Sequence, residues 1–299
     1  MQKLDKRLYI TIDTEPDCDT KWRRSNPLTF TSVIEGIPNL LRPLWNQCKA
    51  QIIYFVSPEV LENEAASAIL RQEIKYGAII GAHLHSEYIE PLMKYPNAAG
   101  TTSNDFPCFA VDKEIEKQKI KNLRDKIREK LSFDPIWYRA ARFGADMDTI
   151  HILKELGFHY DSSCTPFIDW TKYGGPNHSK SPVQPYYISD HDLYIEKTKP
   201  EDNSIIEVPI TIYGKRSKIL NKLSNDSWLS YNWLRPTHMF LFEMKELVKK
   251  IEKNYPNPVF AMMFHSMEII PGKTPFVRNK FMQKSFMNRL TEIIKYIER

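Results

Sequence analysis

Short apolar runs alternate with helix-like segments along the first third of the chain. Residues 8–12, 51–56 and 78–83 are apolar runs with several β-branched side chains, which predicts three strands. Between them, residues 31–49 place apolar side chains at helical spacing, and residues 58–76, which open with a proline, predict a second helix. This alternation indicates parallel strands joined by right-handed crossovers.

The same alternation continues less regularly toward the C-terminus. We predict a surface loop, a charged helix, a short strand and a helix over residues 90–110, 112–131, 136–138 and 146–156. Strands or hairpins, an irregular region, a helix, a buried strand and a last helix follow over residues 183–213, 215–236, 237–253, 258–264 and from about 281. The order predicts one domain, residues 1–299, built as an incomplete or distorted (β/α) barrel with an irregular insertion before the last strand-helix unit.

Polar side chains recur where five of the predicted strands end. They are Asp13 with Glu15, His83 with His85, Arg139 with Arg142, Asp161, and His265. In a parallel barrel these ends all lie on one face, which is where such barrels carry catalytic groups. Each group taken alone also fits a solvated loop, so it is their recurrence that predicts a site.

His83 and His85 are separated by one residue at a strand end. Side chains i and i+2 of a strand point the same way, so the two imidazoles can converge as ligands of one metal ion. Asp13 and Glu15 have the same spacing and can contribute a carboxylate. These four residues therefore predict a divalent metal centre.

The composition limits the classes of partner and compartment. The net charge of +5 has no dense basic block, which argues against nucleic-acid binding but suits an anionic substrate such as a phosphate-linked sugar. Four scattered cysteines form no C-x-x-C pair, which disfavours a zinc ribbon and fits reduced thiols. No stretch reaches the roughly 18 apolar residues of a membrane span, and the N-terminus has no secretory pattern. We therefore expect a soluble, cytoplasmic protein without a transmembrane segment.

Four motifs at these strand ends resemble those of a known enzyme family. They are Thr-Ile-Asp-Thr-Glu, Gly-Ala-His-Leu-His, Arg-Ala-Ala-Arg-Phe-Gly and His-Ser-Met-Glu-Ile-Ile-Pro-Gly, at residues 11–15, 81–85, 139–144 and 265–272. In this order they make nearly the whole chain similar to the polysaccharide deacetylases, the NodB-homology enzymes of carbohydrate esterase family four. The motifs look most like a branch associated with lipopolysaccharide and surface-polysaccharide biosynthesis. The resemblance implies the distorted (β/α) barrel of the NodB-homology type.

The resemblance also implies a divalent metal, usually zinc, bound by one acid and two histidines. Glu15 would be the carboxylate ligand and His83 the first histidine ligand. The family spaces its histidines four apart, which would put Glu87 at the second position, whereas strand geometry favours His85. Because one residue separates Asp13 from Glu15, where the family has two adjacent acids, these two can exchange the roles of base and ligand.

Four residues would carry the acid–base chemistry of the family. Asp13 would take the proton of the attacking water, and Arg139 would pair with Asp13 and keep it ionised. His265 would protonate the leaving amine, and Asp161 would support His265 by fixing its tautomer or raising its pKa.

Further residues near the motifs are candidates for substrate binding. Arg142 would contact a substrate oxygen or phosphate, with a structural salt bridge as the alternative, and Glu268 would support the acid or cap a loop. The candidates for a sugar platform are Trp170, Trp228, Trp233 and Arg235.

The sequence thus predicts a metal-dependent hydrolase that removes an N-acyl group, acetyl above all, from an amino sugar. The expected substrate is a nucleotide-linked or lipid-linked precursor of a surface polysaccharide or lipopolysaccharide. Two alternatives remain: a catalytically silent carbohydrate-binding relative, and a hydrolase of another C–N bond.

Overall fold

In the computed structural model, which describes residues 4–216 and 227–299, most strands belong to one curled sheet. The strands are β1 (Leu8–Thr14), β2 (Gln51–Val56), β3 (Ile79–Leu84), β4 (Trp137–Ala140), β5 (Tyr160–Asp161), β6 (Tyr186–Tyr187), β7 (Ile206–Glu207), β8 (Ile212–Lys215), β9 (Tyr231–Trp233) and β10 (Phe260–His265). Eight of them lie in the order β10-β1-β2-β3-β4-β5-β7-β6, with β6 antiparallel to β7 and every other pair parallel. β8 and β9 form a separate antiparallel pair.

Helices connect the strands and cover the sheet. α1 combines a π-helical part, Ser32–Leu41, with an α-helical turn, Arg42–Trp45. The other helices are α2 (Pro58–Leu61), α3 (Glu64–Lys75), α4 (Pro107–Ala110), α5 (Lys113–Leu131), α6 (Met147–Glu155), α7 (Leu241–Asn254) and α8 (Lys280–Ile297). α1 packs against α3, and α5 packs against β3, which gives the parallel strands the apolar cover that they require. Within the described ranges, no helix combines the length and apolarity needed to cross a bilayer.

One face of the sheet carries an apolar layer below a polar layer. Tyr9, Trp137 and Tyr160 belong to one buried cluster, in which the rings of Trp137 and Tyr160 stack with their centroids 4.3 Å apart. Because side chains alternate along a strand, Asp13 shares a face with Tyr9, and Arg139 shares one with Trp137. The strands that pack this apolar cluster therefore also hold the polar groups at their carboxyl ends.

The loops around the site are anchored on α1. The buried carboxylate of Asp17, in the loop after β1, accepts two backbone N–H groups at the start of α1, at 2.9 and 3.1 Å. α1 also packs against the helical turn Ser266–Ile269 that follows β10. Gly36 permits this approach, since a Cβ there would lie 2.6 Å from Cδ1 of Ile269.

The segment that leaves β7 spans the opening of the barrel. Its Val208 N–H donates to the carbonyl of Asp161 at 2.8 Å, and its Thr211 N–H donates to the carbonyl of Ala261 at 3.0 Å. These bonds join β5 to β10, which lie far apart in the order of the sheet. The architecture is the predicted distorted, incomplete (β/α) barrel, with its gap filled by this segment.

Two predicted helices differ from those observed. The helix predicted over residues 31–49 ends at Trp45, and its first part is π-helical around Pro38, which has no N–H to donate. The single helix predicted over residues 58–76 is divided into α2 and α3, because the Asn63 side chain accepts a backbone N–H at 2.9 Å and begins α3.

The region predicted to be irregular over residues 215–236 contains a strand. β9 pairs with β8, with Ile212 opposite Trp233. Three residues are too few to show the alternation by which a strand is recognised in a sequence. Residues 217–226 lie outside the described part of the chain.

Candidate functional site

A cavity of about 680 Å³ lies at the carboxyl ends of the parallel strands. Predicted site residues from three strand ends line it: Asp13, Glu15, His83, His85 and His265. Four predicted substrate contacts line it as well: Arg142, Trp170, Trp233 and Arg235. The remaining predicted residues are buried: Glu87, Arg139, Asp161 and Glu268.

Glu15, His83 and His85 form a compact set of donor atoms. One ligand atom from each lies within 4.8 Å of the other two. Oε1 of Glu15 is 3.3 Å from Nε2 of His83 and 3.3 Å from Nε2 of His85. The two imidazole rings stand nearly perpendicular, at 81°, with their centroids 5.0 Å apart. This is the donor set of one carboxylate and two imidazoles that the sequence predicted for a divalent metal.

The partners of the other ring nitrogens fix the orientation of both imidazoles. Nδ1 of His83 lies 3.0 Å from the carbonyl of Arg139, which can only accept, so Nδ1 carries the hydrogen in the neutral ring. Nδ1 of His85 lies 3.4 Å from Oε1 of Glu87, which gives the same tautomer. Both Nε2 lone pairs then face the Glu15 carboxylate, an arrangement that a cation between them satisfies. Nε2 of His85 is buried and has no hydrogen-bond partner among the described residues.

The electrostatics of this set favour positive charge. Burial raises the pKa of Glu15, but the neighbouring histidines, His85 first, outweigh burial and hold that pKa well below its usual value. Burial lowers the pKa of His85, whereas Glu15 and Glu87 raise it to about 9. The anionic carboxylate therefore attracts either protons on the imidazoles or a metal cation.

The structure brings His85, rather than Glu87, to Glu15 and His83. Glu87 lies behind His85, with Oε1 near Nδ1 of that ring and 3.2 Å from Nη1 of Arg142. The shift from the family spacing thus places an imidazole in the donor set and a carboxylate behind it.

Asp13 is held by a buried guanidinium. Oδ1 accepts a hydrogen bond from Nη1 of Arg139 at 2.6 Å, while Nη2 donates to Thr11 and Ser162, and Nε donates to the carbonyl of Ser162. Burial raises the pKa of Asp13, but Arg139, His83 and His265 outweigh it, so the pKa lies below its usual value. Asp13 is therefore ionised and fixed in orientation.

His265 lies beside Asp13 because β10 is the neighbour of β1, with these two residues paired in register. Its Nε2 is 4.0 Å from Oδ2 of Asp13 and 3.9 Å from Oε1 of Glu15. Its Nδ1 is 3.0 Å from Oε1 of Glu268, which also accepts from Arg235 at 2.7 Å. Burial lowers the pKa of His265, but Glu268 and Glu15 raise it above its usual value, against the opposing charge of Arg235.

The predicted support of His265 by Asp161 is wrong. Oδ1 of Asp161 accepts from Ser163 at 2.6 Å, and Asp161 pairs in register with Glu207 across β5 and β7. Burial raises the pKa of both carboxyls, and the charge of Asp161 raises that of Glu207 further. Glu268 occupies the position on the imidazole that was predicted for Asp161.

The two described tryptophans of the predicted sugar platform differ in exposure. Trp170 is half-buried and its ring stacks on Phe143, with centroids 6.0 Å apart. Trp233 borders the cavity but is only 1% exposed, so nearly all of it packs in the core. The side chain of Trp228 lies outside the described part of the structure.

The sequence-based prediction missed two residues of the site, because each lies in a loop that has no helical or strand periodicity. Trp22 lines the cavity and its ring contacts that of His265 edge-on, with centroids 5.3 Å apart. Arg24 is buried over the ring of Tyr88 at 3.9 Å, forms an ion pair with Glu59 at 2.8 Å, and lies 4.0 Å from Glu15. A basic and an aromatic residue soon after the first acidic motif were the available signal.

Comparisons with known proteins give similarity at the level of structure. A scan of the sequence against protein-family models finds no match, and a search of curated proteins finds none. A putative polysaccharide deacetylase from Mycobacterium smegmatis matches with a TM-score of 0.51 and 13% identity, over 98% of this chain and 86% of that one. A probable polysaccharide deacetylase from Pseudomonas aeruginosa PAO1 matches with a TM-score of 0.53 and 11% identity, over 97% and 83%.

An allantoinase, Puue, matches to the same degree, with a TM-score of 0.51 and 11% identity over 97% of this chain and 82% of that one. One fold thus occurs in proteins that are named for different activities, so the likeness concerns architecture. The chain has the fold of the polysaccharide deacetylases.

Proposed function

We propose that this chain is a metal-dependent hydrolase that removes an N-acyl group, acetyl above all, from an amino sugar. The observation that carries the proposal is the convergence of Glu15, His83 and His85 within 4.8 Å at the cavity where Asp13 and His265 also lie. A carbohydrate-binding relative without activity would not require an ionised carboxylate and a protonated imidazole beside such a donor set.

The residues present fit a divalent metal. Two neutral imidazoles and one carboxylate are a common ligand set of catalytic zinc, with a further position left for substrate or water. Both histidines have their second nitrogen bonded to an oxygen acceptor, as metal-bound histidines usually do. When bound, the metal supplies a Lewis acid that polarises an acyl carbonyl.

Asp13 is proposed as the general base. Its Oδ1 is occupied by Arg139, which leaves Oδ2 to accept the proton of a water molecule. Its lowered pKa keeps it in the acceptor form at neutral pH. Arg139, fixed by four hydrogen bonds, prevents the carboxylate from rotating.

His265 is proposed as the general acid. Its raised pKa favours the protonated ring, and Glu268 at Nδ1 directs the Nε2 hydrogen toward Asp13 and Glu15. In that position the imidazolium can donate a proton to the amine as it leaves the acyl carbon that the water attacks. Base and acid in opposite protonation states predict a bell-shaped pH dependence.

The proposed substrate is an N-acylated amino sugar of a surface-polysaccharide or lipopolysaccharide precursor, nucleotide-linked or lipid-linked. The motif order supports the sugar, the cavity of about 680 Å³ can hold a small glycan, and Trp170 with Phe143 supplies an aromatic wall. Hydrolysis of a small amide is the second candidate, because the allantoinase matches as well as the deacetylases do.

A product assay tests the proposal. Purified protein is incubated with N-acetylated sugar precursors and, in parallel, with acylated small amines, and acetate release is measured before and after metal removal. We expect release from sugars that stops on verified metal removal and returns with added zinc. Full activity in metal-free protein would contradict the metal mechanism, and release from small amines alone would favour the second candidate.

A further inference from the structure

Both Nη atoms of Arg142 are bonded to the protein, although the residue lines the cavity. Nη1 donates to the carbonyl of Asp105 at 2.8 Å, and Nη2 donates to the carbonyl of Ser103. Both nitrogens also lie 3.2 Å from Oε1 of Glu87. A side chain with these bonds is poorly suited to the substrate contact that the sequence predicted for it.

Glu87 connects Arg142 to the donor set. Its side chain is fully buried, and the same Oε1 that Arg142 contacts lies 3.4 Å from Nδ1 of His85. Its ion-pair partners in the described part of the chain are His85 and Arg142. The carboxylate can therefore orient the imidazole only as well as Arg142 orients the carboxylate.

The same two nitrogens of the guanidinium also hold part of the cavity wall. Residues 101–104 line the cavity, and the two carbonyls that accept from Arg142 belong to Ser103 and Asp105. This wall borders the space where the substrate would bind. One side chain thus bonds to the wall and to the carboxylate behind His85.

The backbone at this position is also unusual. Arg142 and Phe143 are consecutive residues with φ of 53° and 62°, in the left-handed region that non-glycine residues rarely adopt. Such a conformation persists where surrounding contacts fix it, and these occur most often at functional sites. The bonds of the guanidinium and the stacking of Phe143 on Trp170 are those contacts here.

We propose that Arg142 is a positioning residue that holds the 101–105 wall and, through Glu87, the imidazole of His85 in one fixed arrangement. The inference rests on the proposed function, since it concerns the proposed metal ligand. It assigns Arg142 to the geometry of the metal centre and the wall rather than to direct contact with the substrate.

A double-mutant cycle on zinc affinity tests the inference. Zn²⁺ alone is titrated into metal-free full-length protein in competition with a chromophoric chelator, for the wild type, Arg142→Met, Glu87→Gln and the double variant. We expect about tenfold weaker binding for each single variant, and no further loss in the double variant, because Arg142 acts through Glu87.

Arg42→Met is the matched control. Like Arg142, Arg42 bonds to a buried carboxylate, which is that of Glu73, but Arg42 does not line the cavity. Its guanidinium also lies over the ring of Tyr76. The Arg42→Met substitution should lower the stability of the protein and leave its zinc affinity unchanged. If thermal unfolding shows that Arg142→Met does not fold, Arg142→Lys replaces it. The single ammonium group of lysine cannot bond to Glu87 and to two carbonyls together, so we expect zinc binding about threefold weaker than in the wild type. On the Glu87→Gln background, Arg142→Lys should cause no further loss of zinc affinity.

The failures of the two proposals differ. A wild-type protein that binds no zinc would overturn the proposed metal centre and this inference with it. Wild-type zinc affinity in the Arg142 variants, or losses that add in the double variant, would overturn the inference alone.

Discussion

Oε1 of Glu268 lies 3.0 Å from Nδ1 of His265 and accepts a hydrogen bond from Arg235 at 2.7 Å. Burial raises the pKa of this carboxylate, but the charge of Arg235 and the contact with His265 outweigh burial and hold that pKa far below its usual value. An ionised partner at Nδ1 fixes the tautomer of the proposed acid and favours its protonated form. Glu268, three positions after the proposed acid, thus occupies the supporting position that was predicted for Asp161.

Glu268→Gln tests this relationship through the pH profile. Because an acid must be protonated, activity falls as the pH rises through its pKa, and the loss of Glu268 lowers that pKa. We expect kcat/KM to fall about tenfold at neutral pH and its alkaline limb to move to lower pH. Glu292→Gln, at a partly exposed position of α8, is the control. An unchanged alkaline limb would show that Glu268 does not act through His265.

The roles of Asp13 and Glu15 are separated by two amide variants. Asp13→Asn should lower kcat by about 10²- to 10⁴-fold, the usual share of a general base, while zinc affinity stays within about threefold of the wild type. Glu15→Gln should lower zinc affinity itself, because a neutral amide replaces the one carboxylate in the donor set. Zinc titrations and rates at saturating zinc check both. The reverse pattern would mean that Glu15 is the base and Asp13 the ligand.

A comparison of His85→Ala with Glu87→Gln shows which of the two residues is the metal ligand. Loss of a ligand should weaken zinc binding by at least about a hundredfold, whereas loss of the carboxylate behind it should cost about tenfold. The competition titration used for Arg142 measures both. A larger loss in Glu87→Gln than in His85→Ala would restore the family spacing, with Glu87 as the ligand.

Glu116 gives a pH effect on stability that is independent of the site. It is 1% exposed on α5, and burial raises its pKa to about 7, while Thr149 donates to it at 2.8 Å. Its folded pKa exceeds the usual 4.5, so the stability it contributes is complete below about pH 4 and is lost as the pH rises through 7. Glu116→Gln should remove up to about 3 kcal/mol of this dependence.

Urea unfolding at pH 5 and pH 8 measures the effect, as the difference in free energy of unfolding between the two pH values. That difference should be smaller in Glu116→Gln than in the wild type. Glu114→Gln, exposed in the same helix, should keep the full difference. An equal difference in all three proteins would show that Glu116 does not titrate in this range.

The sequence predicted those parts of the fold and of the site that follow from regular spacing along the chain. The alternation of strands and helices identified the barrel. The i, i+2 spacing indicated that His83 and His85 lie together and that Asp13 and Glu15 line the same cavity, because side-chain direction in a strand depends on local geometry. The ion pair of Arg139 with Asp13 followed from the motif order and is present at 2.6 Å.

Contacts between distant segments could not be obtained in this way. The pairing of Asp161 with Glu207 depends on which strand lies next to β5, and several connections were open from the sequence. Arg24 and Trp22 reach the site through the course of one loop, which no periodicity describes. The three hydrogen-bond acceptors of Arg142 likewise come from two segments far from it in the sequence, so its role is visible only in three dimensions.

The register between β1 and β10 has a consequence for how the protein is made. Asp13 and His265 face each other across the first and the last strand of the sheet, so the ribosome has synthesised nearly every other element before the two can meet. A nascent chain can form its N-terminal strand-helix units while it still lacks His265, the proposed acid. Because pairing between such distant segments is slow, recovery of hydrolysis during refolding should lag behind recovery of helical circular dichroism.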